Sequence, residues 1–311
     1  MDFLQQLNES IKLPNVVYHK FLTSYRKNSS DIYVFCEGNV DLNYYCELIE
    51  RKYPTRGIQK FVSECKNNVL LISGYIDWKI YSKERVLFFV DRDLSYWAGE
   101  PQDLDKNIYI TDHYSFENDA VNLHMFLKLL EDIYGFSSYT PNEKEKIEDL
   151  FVKYWKDFVN GSYCIMGCIL YAYMTRKEHV ANNIRIRKCF SLEEPGIWKP
   201  YIDNIPSVEY YKKVFEIDDD ISQFLEQYKN RFIEEAEHYS VRGKWCIVFM
   251  VMLMDYVLKE GKSFAPSLYN GITKKPKRLT NLDDKSGMAT IGPKIVPPKS
   301  LVDFIDYNLS V

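Results

Sequence analysis

Short apolar runs alternate with amphipathic stretches in the first 125 residues of the chain. The runs are too short for helices and are rich in aromatic and β-branched residues, which favours buried strands. The stretches between them repeat their apolar residues at the spacing of one helix face. This order predicts an α/β fold with about four mainly parallel strands, right-handed crossovers and flanking helices. The predicted strands span 33–36, 58–63, 85–90 and 107–111, and the predicted helices span 39–52 and 67–83.

From residue 121 onward the apolar pattern changes to helical periodicity. Because one hydrophobic core rarely spans 311 residues, this change predicts a second domain. We therefore expect an α/β domain with an N-terminal lead-in at 1–125 and a mainly helical domain at 126–311. A proline-containing connection is expected at 195–206, and roughly the last fifty residues predict a loop-rich segment. The predicted helices span 121–135, 144–158, 163–176, 218–239 and 242–259.

Acidic side chains follow two of the predicted strands at the point where each strand ends. Glu37 comes directly after 33–36, and Asp91 and Asp93 follow 85–90. Since parallel strands open on one crevice at their carboxyl ends, these carboxylates are expected to meet there. Carboxylates gathered in this way repel one another, and Mg²⁺ or Mn²⁺ relieves the repulsion. The pattern predicts a metal-dependent enzyme acting on phosphates, in which Asp91 and Asp93 hold the metal and Glu37 is a general base or a shared ligand.

Two further acids are weaker candidates for the same site. Glu117 follows the fourth predicted strand and is a candidate ligand of a second ion. Asp41 lies in the first turn of the predicted helix 39–52, where an acid also complements the helix dipole, so a capping role is an equal alternative. Acids at strand ends also begin loops or cap helices, which is the alternative for the whole set. Arg92, between two of the acids, is expected to form a structural salt bridge.

The charge of the chain restricts how it would bind nucleic acid. The formal net charge is -4, so the whole molecule has no cationic field that attracts phosphates, and binding has to rely on local patches and on bound metal. One candidate patch for phosphate contact consists of Lys274, Lys275, Lys277 and Arg278. Another is the sequence IRIRK at 184–188, in which Arg185 and Arg187 alternate with isoleucines as on one face of an extended segment. For both patches, a merely solvated surface is the alternative.

Composition and motifs also indicate the cellular compartment of the protein and exclude some classes of enzyme. The seven cysteines are an odd number without metal-type spacing, and the polar N-terminus does not resemble a secretory signal, which favours a cytoplasmic protein with reduced thiols. No apolar run reaches the roughly twenty residues that span a bilayer, so no membrane association is expected. The chain contains no GxxxxGK[ST] sequence, so any nucleotide hydrolysis has to come from another protein.

Three segments taken together resemble a known family. They are Glu37-Gly38 with Asp41, Asp91-Arg92-Asp93, and Tyr114-Ser115-Phe116-Glu117-Asn118. These segments are similar to the E-G, D-x-D and Y-S-x-E-N motifs of Toprim-domain nucleases. The likeness is to the bacterial OLD-like group (overcoming lysogenisation defect), which includes the Toprim effector of the PARIS anti-phage defence system. It covers residues 30–125.

The resemblance implies an endonuclease that uses Mg²⁺ or Mn²⁺ at Glu37, Asp91 and Asp93. It further implies a toxin-like antiviral effector that cleaves tRNA, acts as a homodimer, and is held inactive by an ABC-type ATPase partner. Two alternatives stay open: a Toprim nuclease acting on DNA, and a non-catalytic Toprim-like module that binds a partner. Primase and topoisomerase activities are unsupported, because the chain has no zinc-ribbon cysteines and no single tyrosine stands out as catalytic.

Overall fold

A computed structural model describes 13–100, 104–136, 139–176, 181, 184–192, 197–198, 201–202, 205–234, 241–269 and 287–309. The chain divides into two compact units. The first, called here the sheet unit, comprises Met1–Arg92, Gln102–Asp112 and Val296–Val311. The second, called here the helical unit, comprises Asp93–Pro101 and His113–Ile295. The division passes between Arg92 and Asp93, and it assigns the last residues of the chain to the sheet unit.

The sheet unit contains the four parallel strands that the sequence predicts, and the α/β fold is confirmed. The strands are β1 (Ile32–Cys36), β2 (Ile58–Val62), β3 (Val86–Val90) and β4 (Ile108–Ile110), in the spatial order β2-β1-β3-β4. Phe35 of β1 pairs with Phe61 of β2 on one side and with Phe88 of β3 on the other. Every residue of β1 and β3 is buried, which explains their continuous apolar sequences. The two central strands therefore end side by side at one edge of the sheet.

Helices cover the sheet. They are Leu13–Ser24, Asn39–Lys52, Lys66–Tyr75 and Lys299–Leu309. Phe21 of the first helix and Ile72 of the third are fully buried in one cluster with residues of β1, β2 and β3. Tyr45 of Asn39–Lys52 stacks on Phe89 with ring centroids 4.0 Å apart, and Phe304 meets the same ring at 5.6 Å. Aromatic side chains thus supply much of the contact between helices and sheet.

Two predictions for this unit were wrong in extent. The helix predicted at 67–83 ends at Tyr75, because Ile76 is extended and the Asp77 carboxylate accepts the Lys79 N–H at 2.9 Å in a local turn. The C-terminal segment predicted as loop-rich contains the helix Lys299–Leu309. Pro297 and Pro298 suggested a loop, but they lie just before a helix, where a proline costs little because the first N–H groups have no intrahelical partner.

The helical unit is built mainly from helices, with two pairs of very short antiparallel strands. The pairs are β5 (Phe190–Ser191) with β6 (Ile197–Trp198), and β7 (Tyr201–Ile202) with β8 (Ile205–Pro206). Within the described part of the chain, none of the helices combines the length and the hydropathy needed to cross a bilayer. The helices are Asp93–Trp97, Leu123–Tyr134, Pro141–Arg176, Ile186–Cys189, Val208–Val214, Ser222–Glu234, Gly243–Glu260 and Gly287–Ile291.

One long helix replaces the two predicted at 144–158 and 163–176. Pro141–Arg176 has 36 residues and continues through Gly161, which lies between the two predicted helices. A glycine inside a helix costs about 1 kcal/mol relative to alanine. Gly161 is buried, and the Ser162 hydroxyl next to it donates to the Val159 carbonyl at 2.8 Å, so packing and local hydrogen bonding offset the cost.

Candidate functional site

Glu37 and Asp91 come together at the edge of the sheet where β1 and β3 end. Each is the first residue after its strand. The Asp91 backbone N–H donates to Glu37 Oε1 at 2.9 Å, and both residues are partly exposed. The structure therefore brings together two of the predicted site residues and leaves them accessible to solvent.

The charge of the acids is concentrated near the end of β1. Burial raises the pKa of the Cys36 thiol well above its usual value, and the charges of Asp41, Glu37 and Asp91 raise this pKa further. Burial also raises the pKa of the Tyr45 hydroxyl, with the charge of Asp91 as the next cause. The charges of these three carboxylates therefore all reach the Cys36 thiol, and like charges of this kind repel one another.

Asp41 has the capping role that was its alternative. It lies in the first turn of Asn39–Lys52, and its Oδ2 accepts the Gly38 N–H at 2.9 Å. An acid in this position also interacts favourably with the helix dipole. The Asp41 carboxylate therefore caps the helix and also adds negative charge near Cys36.

Lys66 is a residue of this site that the sequence reasoning missed. Its Nζ donates to the Asp91 carbonyl oxygen at 2.7 Å and to the Arg92 carbonyl oxygen at 3.0 Å. Lys66 begins the helix Lys66–Tyr75 shortly after β2, and the pattern of acids at strand ends does not indicate it. A basic residue at the start of a helix that follows a parallel strand was the available signal.

Arg92 and Thr111 connect the end of β3 to the end of β4. The Arg92 N–H donates to Thr111 Oγ1 at 2.9 Å, and Arg92 Nε donates to the Thr111 carbonyl at 3.0 Å. The Thr111 N–H in turn donates to the Val90 carbonyl at 3.1 Å. Arg92 Nε therefore binds a backbone carbonyl, and the salt bridge expected of Arg92 stays a prediction.

Asp93 belongs to the helical unit, where it begins the helix Asp93–Trp97. Its φ of 48° is in the left-handed region, which aspartate tolerates better than most residues. Its N–H donates to the Tyr114 carbonyl at 2.8 Å, and its Oδ1 accepts the Ser95 N–H at 2.7 Å. The Asp93 carboxylate thus stabilises a local turn.

Glu117 also belongs to the helical unit and is only 3% exposed. It lies in the short helix Phe116–Ala120, which Asn118 anchors by donating from Nδ2 to the Val241 carbonyl at 2.9 Å. A Cβ added to Gly243 would overlap Ser115 Oγ and would lie 2.9 Å from the Glu117 Cβ. Burial raises the pKa of the Cys246 thiol, and the charge of Glu117 raises it further. The segment containing Glu117 is therefore closely packed against the start of Gly243–Glu260.

His113, just before this segment, pairs with Asp119. Its Nδ1 lies 2.7 Å from Asp119 Oδ1, and both side chains are mostly buried. A neighbouring carboxylate fixes the orientation of a histidine ring. The Asp119 carboxylate therefore holds the His113 ring in place.

The structure describes one of the two predicted basic patches. Lys274, Lys275, Lys277 and Arg278 lie outside the described residues. In the IRIRK sequence the predicted extended backbone was wrong, because a short helix begins at Ile186. Arg185 and Arg187 are exposed while Ile184 and Ile186 are buried, so the two arginines are directed to solvent as predicted.

The donor set at the sheet edge fits a hard cation. Mg²⁺ usually keeps several waters and takes only one or two carboxylates from the protein, which Glu37 and Asp91 can supply. The buried hydroxyl of Ser63, at the end of β2, has no hydrogen-bond partner among the described residues. In that same part of the chain, no group of three or more His, Cys, Asp or Glu side chains is arranged around one point as metal ligands. Comparisons with protein-family models and with curated proteins found no match.

Proposed function

We propose that this chain is a Toprim-type, metal-dependent endoribonuclease that cleaves tRNA as an effector of anti-phage defence. The observation that carries the proposal is the hydrogen bond between the Asp91 N–H and the Glu37 carboxylate, which joins acids of two adjacent parallel strands. In α/β folds the ligand crevice lies at this end of the strands. The motif resemblance supports nucleic acid as the substrate and defence as the role.

The proposed ligands of Mg²⁺ or Mn²⁺ at the sheet edge are Glu37 and Asp91, and the motif resemblance alone is the support for Asp93 and Glu117 as further ligands. When bound, the ion polarises the scissile phosphate and lowers the pKa of the attacking water. Glu37 would accept the proton of the attacking water, and Asp91 would hold the ion that supplies this chemistry. Hydrolysis then adds water across one P–O bond and leaves a phosphomonoester on one product and a hydroxyl on the other.

Binding of tRNA has to rely on local groups, because the net charge of the chain is -4. We assign phosphate contacts to the exposed Arg185 and Arg187 and to the basic patch that begins at Lys274. Control by an ABC-type ATPase, homodimer formation and a cytoplasmic location are also part of the proposal, and the motif resemblance is their support.

A second candidate function is a non-catalytic module that binds a partner. The observation favouring it is that Asp41 and Asp93 each use a carboxylate oxygen to accept a local backbone N–H, at 2.9 and 2.7 Å. Acids that stabilise turns and helix ends need no metal. In this case the sheet edge would have a folding role only.

One cleavage experiment separates these functions. Purified protein is incubated with total tRNA, other RNA and plasmid DNA, each in Mg²⁺, in Mn²⁺ or in EDTA. We expect metal-dependent cleavage of tRNA, which Glu37→Gln abolishes and the surface variant Asp303→Asn retains. Cleavage of plasmid alone would indicate a DNA nuclease, and the absence of cleavage in every metal would favour the binding module.

The partner is tested separately. Co-expression with the ABC-type ATPase encoded beside it should give a complex that is stable in size-exclusion chromatography and has no nuclease activity. Release from the complex should restore cleavage and give a dimer. A chain that stays monomeric and binds no such ATPase would contradict this part of the proposal.

A further inference from the structure

We infer that Lys66 is a positioning residue that fixes the end of β3 and prepares the acidic edge for a cation. The part of this inference that concerns the cation rests on the proposed function. Lys66 Nζ donates to the carbonyl oxygens of Asp91 and Arg92, at 2.7 and 3.0 Å. These are the first two carbonyls after β3, which ends at Val90. One ammonium group, with its three donors, therefore holds two consecutive peptides in place.

Lys66 is itself held by packed elements. It is the first residue of Lys66–Tyr75, whose Val69 and Ile72 are fully buried against the sheet. Asn68 Nδ2 donates to the Ser63 carbonyl at 2.8 Å, and the Ser63 N–H donates to the Cys36 carbonyl at 2.9 Å. These bonds link the ends of β1 and β2 to the start of the helix. A site supported in this way is positioned more accurately than one on an isolated loop.

The backbone between β2 and this helix is strained at one residue. Glu64 has a φ of 68°, in the left-handed region that residues other than glycine rarely adopt. Such a conformation persists only where the surrounding structure fixes it. The connection is therefore held in the shape that brings Lys66 to the end of β3.

Two effects of Lys66 on a bound cation oppose each other. By fixing the Asp91 carbonyl, Lys66 also fixes the residue whose N–H donates to Glu37 Oε1 at 2.9 Å, and this favours cation binding. Its positive charge repels a cation, and this disfavours binding. Removal of the ammonium therefore weakens cation binding when positioning dominates and tightens it when repulsion dominates. We assign the first outcome to this chain.

The hold on the backbone is tested without any metal. Hydrogen exchange of the Asp91 amide is measured in EDTA for the wild type, Lys66→Met and Lys79→Met, the last being a control at an exposed lysine of the sheet unit. We expect Lys66→Met to accelerate exchange at Asp91 while the amides of Phe35 and Phe88 keep their rates. An unchanged rate at Asp91 would overturn the inference.

The effect on cation binding is tested by calorimetric titration with MgCl₂ and MnCl₂. Lys66→Met should weaken the affinity by about 10–100-fold, as loss of a residue that orients metal ligands usually does. Lys66→Arg, which keeps a charged donor, should recover most of the affinity. Equal or tighter binding by Lys66→Met overturns the positioning role toward the cation.

Failure of the proposed metal site and failure of the inference about Lys66 give different results. A wild type that binds neither ion overturns the proposed metal site, while the exchange measurement still decides whether Lys66 fixes the end of β3. Should Lys66→Met fail to fold, Lys66→Gln replaces it in both measurements, because it removes the charge and keeps a neutral donor. Accelerated exchange and weaker binding are then expected of Lys66→Gln, and wild-type values in both would overturn the inference.

Discussion

The acids of the sheet unit and the acids of the helical unit are held in different ways. Glu37 and Asp91 are partly exposed at strand ends, and their charges add to that of Asp41 near Cys36. Glu117 and Glu143, in the helical unit, are 3% and 6% exposed. Both oxygens of Glu143 accept hydrogen bonds, one from the Thr140 N–H and one from the Ser267 N–H, each at 2.8 Å.

This difference separates stabilising acids from acids suited to chemistry. A buried carboxylate is tolerated where donors replace the water that it has lost, and its removal then destabilises the fold. Glu37 and Asp91 are instead partly exposed, and carboxylates gathered at the end of adjacent strands are typical of functional sites. Substitutions of Glu37 and Asp91 should therefore change activity at constant stability, and substitution of Glu143 should change stability.

The largest expected effect is the loss of cleavage in Glu37→Gln. Removal of a general base typically costs about 10²–10⁴-fold in rate. The glutamine amide oxygen can still accept the Asp91 N–H, so the melting temperature should stay at the wild-type value. Cleavage of tRNA and thermal unfolding are measured on the same preparations.

The Glu117→Gln variant tests whether Glu117 stabilises the fold or takes part in cleavage. By its burial Glu117 belongs with the stabilising acids, and by its motif it is a proposed metal ligand. Loss of cleavage at wild-type stability would move Glu117 to the class of Glu37. Loss of stability with residual cleavage by the folded fraction would keep it in the class of Glu143.

The next effect is stabilisation by metal at the sheet edge. An ion that binds only the folded state adds about 2.7 kcal/mol at a concentration one hundred times its dissociation constant. Calorimetric unfolding in Mg²⁺ should show this gain for the wild type and for Asp303→Asn, and the Asp91→Asn/Asp93→Asn variant should lose it. An equal gain in that double variant would mean that the ion binds elsewhere.

A matched pair of glycine substitutions tests packing. In Gly243→Ala the new Cβ would lie 2.8 Å from Asn118 Oδ1 and 2.9 Å from Glu117 Cβ, and such overpacking costs roughly 1–3 kcal/mol. Gly74→Ala, in the sheet unit, meets no atom within 4 Å and should stabilise by about 0.4–1 kcal/mol. Urea unfolding of both variants measures whether each substitution lowers or raises the free energy of unfolding. A neutral Gly243→Ala would contradict the close packing around Glu117.

The sequence predicts the sheet edge well because its signals are local. Continuous apolar runs identified β1 and β3, and the acids directly after them had to lie where parallel strands end. The helix Asn39–Lys52 was predicted with its observed bounds, because Asp41 lies in its first turn and the turn residues 54–57 follow its end.

What the sequence did not predict depends on tertiary contacts. The position of Lys66 at the start of a helix after a parallel strand places it at the sheet edge, but it does not show that its ammonium reaches two carbonyls 25 and 26 residues further along the chain. The burial of Gly161 inside one long helix is also invisible to local propensity, which favours a break there. The tight packing of Gly243 against the segment of Glu117 joins residues more than a hundred positions apart, and no periodicity reports it.

The smallest expected effect is a dependence of stability on pH that comes from Glu143. The Ser267 N–H, followed by Thr140, lowers the pKa of this carboxyl to about 2, whereas an unfolded glutamate has a pKa of roughly 4.3. The unfolded state therefore binds the proton more readily, so the stabilisation is fully present above the unfolded pKa and is lost as the pH falls toward the folded value. Glu143→Gln keeps only one acceptor oxygen and should be less stable than the wild type near neutral pH, with a difference in urea midpoint that shrinks as the pH falls below the unfolded pKa. Glu145→Gln, at an exposed position of the same helix, should show no such convergence. A Glu143→Gln difference that stays constant down to the acid limit of folding would show that this buried acid acts through packing rather than through its charge.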